Sequence, residues 1–98
     1  MLKVTEKDIE VLKEAVVTYG TKKQLRQLQE ECGELIVAIN HAFRGKENAS
    51  MELCAEFCDV YIMMWQIFLA AKCPTDFQQM LEIKMYNLQL RLQKEGAK

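Results

Sequence analysis

The sequence contains few of the residues and patterns that break helices or build sheets. Its 98 residues include four glycines and one proline, and no Asn-Gly or Asp-Gly pair marks a hairpin turn. No segment alternates apolar and polar residues with a period of two, so a β-sheet is not expected. Half of the residues are nevertheless hydrophobic, which is enough for a core. The sequence therefore predicts one all-α domain over residues 1–98.

Several classes of function lack their usual signals. The formal net charge is -1, so no basic surface for nucleic acid is expected. The first residues show no apolar signal region. The longest apolar run, residues 60–71, is broken only by Gln66 and is shorter than the roughly 20 residues that span a bilayer. We therefore expect a cytoplasmic protein that binds neither nucleic acid nor a membrane.

The four cysteines form no C-x-x-C pair, so the common zinc and redox spacings are absent. Cys54 and Cys58 are one helical turn apart and could join His41 in a metal site. The simpler interpretation treats Cys32, Cys54, Cys58 and Cys73 as small buried residues in a reducing cytosol.

Capping and stop signals divide the chain into four predicted helices. They begin near residues 5, 21, 48 and 75 and end near residues 20, 45, 72 and 94. Thr5 with Asp8 resembles a capping pair, and Thr21 with Gln24 has the spacing of a capping box. Because the connections are short, we expect consecutive helices to pack antiparallel in a four-helix bundle.

The third predicted helix is apolar on nearly every side. Val60 and Met64 lie on one face, whereas Ile62 and Trp65 lie on nearly the opposite face. A helix of this kind is normally buried all round, and four helices of this size cannot easily enclose it. We therefore expect a homodimer or a homotetramer with this helix near the interface.

Two acidic pairs occur inside the second and third helices. Glu31 and Glu34 are three residues apart, as are Glu56 and Asp59, so each pair projects from one helix face. Measured from the connection between the two helices, the pairs lie at depths that differ by roughly 5 Å, so they can meet. Glu56 should face inward with Asp59 beside it, and Gln66 lies two turns further along the same flank.

A buried carboxylate needs compensation, and few cations lie nearby in the sequence. Hard oxygen ligands of this kind suit Mg²⁺ or Mn²⁺. A pair of glutamates on an ordinary solvated helix is the alternative for each motif taken alone. A di-iron bundle is not expected, because the only histidine, His41, follows no glutamate at the Glu-x-x-His spacing.

The fourth helix carries a polar stripe between two apolar rows. Lys84, Asn87 and Arg91 lie within about 60° of one another around the helix axis. We expect this stripe to point toward the acidic pairs and to bind phosphate oxygens. The alternatives are a second solvated strip and salt bridges to the acidic pairs themselves.

The two acidic motifs together resemble a known signature. Glu30-Glu31-x-x-Glu34, followed after 21 residues by Glu56-x-x-Asp59, is similar to the motif of the MazG-like all-α nucleoside triphosphate pyrophosphohydrolases. The segment Glu82-x-Lys84-Met85-x-Asn87 is similar, more loosely, to the phosphate-binding segment of that family. Members of the family are dimers or dimers of dimers.

The resemblance implies hydrolysis of a nucleoside triphosphate between its α and β phosphates, giving a monophosphate and pyrophosphate for nucleotide-pool cleaning. It also implies that Glu31, Glu34, Glu56 and Asp59 hold Mg²⁺, with Glu30 as a possible helper of Glu31 in catalysis.

The base-binding residues are less well defined, and Asn40, His41 and Trp65 are the candidates. Two alternative functions stay open, a phosphoribosyl-ATP pyrophosphatase and a non-catalytic helical dimer that binds nucleotide or a partner protein.

Overall fold

Four α-helices make up the described structure. The computed structural model describes residues 2–72 and 74–96, and no strand occurs in that part of the chain. The helices are α1 (Glu6–Tyr19), α2 (Thr21–Phe43), α3 (Ala49–Ala70) and α4 (Pro74–Gly96). The prediction of an all-α chain with four helices is confirmed, and the predicted ends agree within a few residues. The sequence also predicts a break at Cys73-Pro74, and Cys73 lies outside the described residues.

The ends of α1 follow the predicted signals. The Thr5 hydroxyl accepts a hydrogen bond from the backbone N–H of Asp8 at 3.1 Å, and the Asp8 carboxylate accepts one from the backbone N–H of Thr5 at 3.0 Å. This is a complete capping box. Gly20 ends the helix with a φ of 84°, a conformation that glycine adopts without strain.

The predicted capping role of Gln24 is wrong. Gly20, not Thr21, is the N-cap of α2, and no side chain caps this end. The Gln24 side chain is buried and bonds instead to Gln66 of α3. A side chain three positions into a helix can either cap the helix end or pack in the core. The Gln24 side chain bonds to α3 and therefore does not cap α2.

The α2–α3 hairpin is the centre of the fold. These two helices share the most extensive contact, and α1 packs mainly on α3 and less on α2. Ala38 of α2 is completely buried, and Val60 and Met63 of α3 are buried with it. The connection turns through Gly45 and Asn48, which both have positive φ angles. This short turn brings the two helices back side by side.

The packing of α4 differs from the closed antiparallel bundle expected from the sequence. In the part of the chain that the structure describes, α4 contacts α3 alone, and none of its residues is buried. Phe77 meets Phe68 edge to face with ring centroids 5.7 Å apart. The apolar residues of α4 lie in rows on two sides of the helix, so no single face directs it onto α1 or α2. The fold is therefore a three-helix unit with α4 attached at one end.

A single chain does not enclose α3, as the sequence predicts. Phe57, Ile62 and Met64 are each about half exposed. By length and composition the whole helix could also cross a membrane, so the length argument made from residues 60–71 does not apply to α3. Its interior nevertheless carries Glu56 and Asp59, and ionised carboxylates are costly inside a bilayer.

The expectation that the cysteines are buried is wrong for the described ones. Cys32, Cys54 and Cys58 are all exposed free thiols, and Cys73 lies outside the described residues. Their helices present these positions away from the α2–α3 contact. His41 is bonded to a carboxylate rather than placed with Cys54 and Cys58. No cysteine joins a group of potential metal ligands within residues 2–72 and 74–96.

A polar cluster closes the hairpin at its turn. His41 Nδ1 at the end of α2 lies 2.8 Å from Glu52 Oε1 in the first turn of α3, and Lys46 Nζ lies 3.5 Å from Glu52 Oε2. The hydrogen bond with His41 lowers the pKa of Glu52, and the positive charge of Lys46 acts in the same direction. The ionised form of Glu52 therefore favours the folded state.

Replacing Glu52 should reveal this contribution as a pH-dependent loss of stability. A carboxyl whose pKa is lowered on folding stabilises the protein above its ordinary pKa of 4.5 and loses that effect as the pH falls through the folded value. We expect Glu52→Gln to be less stable than the parent near neutral pH, and the difference to disappear in acid. Urea unfolding at both pH values measures it. Glu47→Gln, an exposed change in the same connection, is the control, and an equal loss there would contradict the assignment.

Candidate metal centre

Three carboxylates converge where α2 and α3 meet. One oxygen atom from each of Glu31, Glu56 and Asp59 lies within 4.8 Å of the other two. Glu31 comes from the middle of α2, and the other two come from the middle of α3. Both predicted acidic pairs are therefore represented, although the structure gathers three of the four carboxylates rather than all of them.

The antiparallel packing of the hairpin brings these residues together. Gln24 precedes Glu31 by seven residues on α2, and Gln66 follows Asp59 by seven residues on α3. Gln24 and Gln66 are in direct contact, so the two helices run in opposite directions with matched spacing. Seven residues are two helical turns, which returns each side chain to the same face. The carboxylates thus form one layer of a polar seam along the α2–α3 contact.

Two carboxylate oxygens in this layer have no partner. Glu31 Oε2 and Glu56 Oε2 are buried and accept no hydrogen bond from the described residues. The other oxygen of Glu31 accepts a hydrogen bond from Gln27 Nε2 at 2.9 Å, which orients the carboxylate. Gln27 was not singled out from the sequence, although its position four residues before Glu31 is the spacing at which helix side chains meet.

The environment of Glu31 disfavours its ionised form. The hydrogen bond from Gln27 lowers its pKa, but burial and the charges of Glu34 and Asp59 outweigh that bond. The net effect raises the pKa of Glu31 above its ordinary value. Burial first, and then the charges of Glu34 and Asp59, therefore penalise the ionised form of Glu31 in the folded protein.

Glu34 and Glu30 lie at the edge of this layer. Glu34 is exposed and lies outside the group of three, but its side chain acts directly on Glu31. Glu30 is also exposed. The metal-binding role of Glu34 and the catalytic role of Glu30 stay predictions.

No basic side chain neutralises the carboxylates within the described chain. The ion pairs found in residues 2–72 and 74–96 involve Glu52 alone among the acids. Lys84, Asn87 and Arg91 are exposed on α4, which does not contact α2. In a single chain α4 does not fold back along the hairpin, so the stripe does not reach the acidic pairs there. Its role in binding phosphate stays a prediction.

The candidate base-binding residues are dispersed. His41 is held by Glu52 at the turn, and Asn40 beside it is exposed. Trp65 follows Glu56 by nine residues, which places it on the opposite side of α3. It lines two apolar clefts of about 400 and 430 Å³, and no carboxylate of the layer lines either one. Their roles in base binding stay predictions.

The donor set fits a hard divalent cation. Mg²⁺ and Mn²⁺ bind through carboxylate oxygens, and the layer offers three carboxylates from two rigid helices. A cation would coordinate the unpartnered oxygens of Glu31 and Glu56, and its charge would oppose the burial and neighbouring charges that raise the pKa of Glu31. Without a cation, the cluster is a group of like charges held together by the fold.

Comparison of the chain with protein-family models, with curated proteins and with solved structures finds no match.

Removing the charge of Glu31 should stabilise the metal-free protein. A carboxyl whose pKa is raised on folding destabilises the folded state at every pH where it is ionised, and the penalty disappears as the pH falls through the folded value to 4.5. We expect Glu31→Gln, measured with chelator, to unfold at a higher urea concentration than the parent near neutral pH but not below pH 4.5. Glu30→Gln, the exposed neighbour, should show a smaller effect. If Glu31→Gln is less stable than the parent at neutral pH, the ionised Glu31 side chain does not destabilise the folded protein and the prediction is wrong.

Proposed function

We propose that this protein is a Mg²⁺-dependent hydrolase that cleaves a nucleoside triphosphate into a monophosphate and pyrophosphate. The observation that carries the proposal is the layer of three carboxylates with two buried oxygens that lack a partner. The resemblance of both acidic motifs to those of the MazG-like pyrophosphohydrolases supports the choice of substrate. Mn²⁺ has the same ligand preferences and could replace Mg²⁺.

The chain itself would contribute a negatively charged, preorganised metal site. Glu31, Glu56 and Asp59 would hold the cation, with Glu34 as a further ligand from the exposed edge. When bound, the cation would neutralise triphosphate charge and polarise the attacked phosphorus. Gln27 keeps the Glu31 carboxylate oriented toward the layer. Glu31, or Glu30 from the solvent side, would accept the proton of the attacking water.

The polar stripe of α4 is available to bind phosphate. Lys84, Asn87 and Arg91 are exposed, and no ion pair occupies Lys84 or Arg91 within the described residues. Lysine and arginine donate charge-assisted hydrogen bonds to phosphate oxygens. Since α4 does not reach the carboxylates of its own chain, a substrate phosphate or a second copy of the chain would have to bring the two charged regions together.

We also propose that the chain self-associates as a homodimer or a homotetramer. Met85, Tyr86 and Leu92 of α4 are each more than half exposed, and α3 leaves further apolar side chains uncovered. Exposed apolar area of this extent along two helices is typical of an interface between proteins. A second copy offers the same surfaces in return, which is what a symmetric dimer requires.

Removal of one carboxylate should abolish turnover while leaving the fold intact. We expect Glu56→Gln and Asp59→Asn to lower pyrophosphate release by at least about 100-fold, because changes outside the first ligand shell already cost ~10–100-fold. A panel of ribo- and deoxyribonucleoside triphosphates with Mg²⁺ provides the assay, and far-ultraviolet circular dichroism checks the helices.

Two exposed acids on the other helices, outside the layer, provide matched controls. Glu14→Gln on α1 and Asp76→Asn on α4 change the same chemical groups and should retain parental rates. Near-parental activity of Glu56→Gln or Asp59→Asn would rule out the metal-site assignment. Cleavage of phosphoribosyl-ATP alone would select that narrower activity, and nucleotide binding without turnover would select a non-catalytic binding protein.

Self-association should be visible as a mass above that of one chain. Light scattering at micromolar concentration should give at least twice 11.4 kDa. Met85→Glu places a charge in an exposed apolar row of α4 and should lower the mass, whereas Gln89→Glu on its solvated side should not. A parent that stays at 11.4 kDa would refute the oligomer.

A further inference from the structure

A buried amide pair joins α2 to α3 near their far ends. Gln24 Nε2 donates a hydrogen bond to Gln66 Oε1 at 2.6 Å, and Gln66 Nε2 donates to Met63 Sδ at 3.4 Å. Gln24 is 6% exposed and Gln66 is 4% exposed, so they are the two buried polar side chains of the described core. Burying an amide costs free energy unless the amide is hydrogen-bonded. The two glutamines therefore depend on each other as partners, which apolar side chains at these positions would not.

The amide pair lies at the open end of the α2–α3 hairpin. Gln24 is in the first turn of α2, and Gln66 is in the last turns of α3. The covalent turn and the bond between His41 and Glu52 close the other end. The carboxylate layer lies between them, two helical turns or about 10 Å from the amide pair.

Like charges in the carboxylate layer would favour separation of the two helices. Glu31 on α2 faces Glu56 and Asp59 on α3 with oxygens within 4.8 Å, and no basic group offsets them in the described chain. At the turn, separation of the helices is limited by the covalent connection. At the open end it is limited by non-covalent contacts, and among the described residues the amide bond is the directional one.

We propose that the hydrogen bond between Gln24 and Gln66 holds the open end of the hairpin closed, and thereby sets the spacing of the carboxylates for the cation. Both glutamines are positioning residues, since they act through Glu31 and Asp59. This inference rests on the metal site of the proposed function. It assigns a role in metal affinity to two residues that contribute no ligand atom.

An amide pair suits this role better than an apolar pair. Apolar contacts are non-directional, so they tolerate sliding and rotation of one helix on another. A hydrogen bond forms only at a narrow distance and angle, so it selects one alignment. Single buried polar contacts fix alignment in this way in coiled coils, even where apolar residues of similar size would give equal or greater stability.

A double-mutant cycle on Mn²⁺ affinity tests the proposal. Gln24→Ala and Gln66→Ala remove the same hydrogen bond, so each should raise the Kd for Mn²⁺ by about tenfold, and the double variant should add little more. Two independent cavity effects would instead multiply. Gln29→Ala, an exposed glutamine on α2, is the matched control and should leave the Kd unchanged. If the alanine variants do not fold, Gln24→Leu with Gln66→Leu preserves apolar volume and should still weaken Mn²⁺ binding.

Distances between spin labels test the same role without metal. Nitroxide labels at Lys22 of α2 and Lys72 after α3 report the open end in a variant whose four cysteines are replaced by serine. With chelator, the double variant should show a longer or broader distance distribution than the parent labelled at the same positions. An unchanged distribution together with an unchanged Kd would overturn the inference. If the hairpin opens in the double variant but the parent binds no Mn²⁺, the amide pair holds the helices together and the metal site of the proposed function is wrong.

Discussion

The convergence of three carboxylates at the α2–α3 contact is the constraint around which the other features of the hairpin are arranged. Glu31, Glu56 and Asp59 approach within 4.8 Å of one another without a basic partner in the described chain. A fold that concentrates charge in this way loses stability unless other contacts hold the helices together. The turn, the bond between His41 and Glu52 and the buried core around Ala38 do so here. Stability given up at such a layer is typical of functional sites.

The second constraint is apolar surface that the chain leaves uncovered. The core lies between α2 and α3 with α1 against them, and α4 takes part only where Phe77 meets Phe68. Chains of this length bury a smaller fraction of their surface than larger domains do. One long uncovered helix therefore removes a considerable part of the apolar burial that could stabilise the fold. The proposed self-association addresses this loss. Self-association would also cover the exposed apolar side chains of α3 with protein instead of lipid.

The sequence predicted local features well and the packing of α4 poorly. Thr5 with Asp8 predicted a capping box that the structure contains, because a cap depends on neighbouring residues alone. Glu56 was predicted to face inward because its position around α3 follows from helical periodicity, and its Oε2 is buried. The placement of α4 depends on which surface it meets, and two apolar rows on one helix do not specify that surface. The predicted direction of the polar stripe rested on the same assumption of a closed bundle.

Gln24 shows why part of the site was not predictable from local pattern. Its spacing from Thr21 matches a capping box, and its spacing from Glu31 matches the inner face of α2, so local sequence supports both roles. The second role requires Gln66, 42 positions later in the chain, to be at the matching depth on α3. The sequence places Gln66 on the same side of α3 as Asp59. That position identifies no partner on α2 until the alignment of the two helices is known. The turn fixes that alignment, and the three polar contacts along the seam then follow from it: His41 with Glu52, the carboxylates, and Gln24 with Gln66.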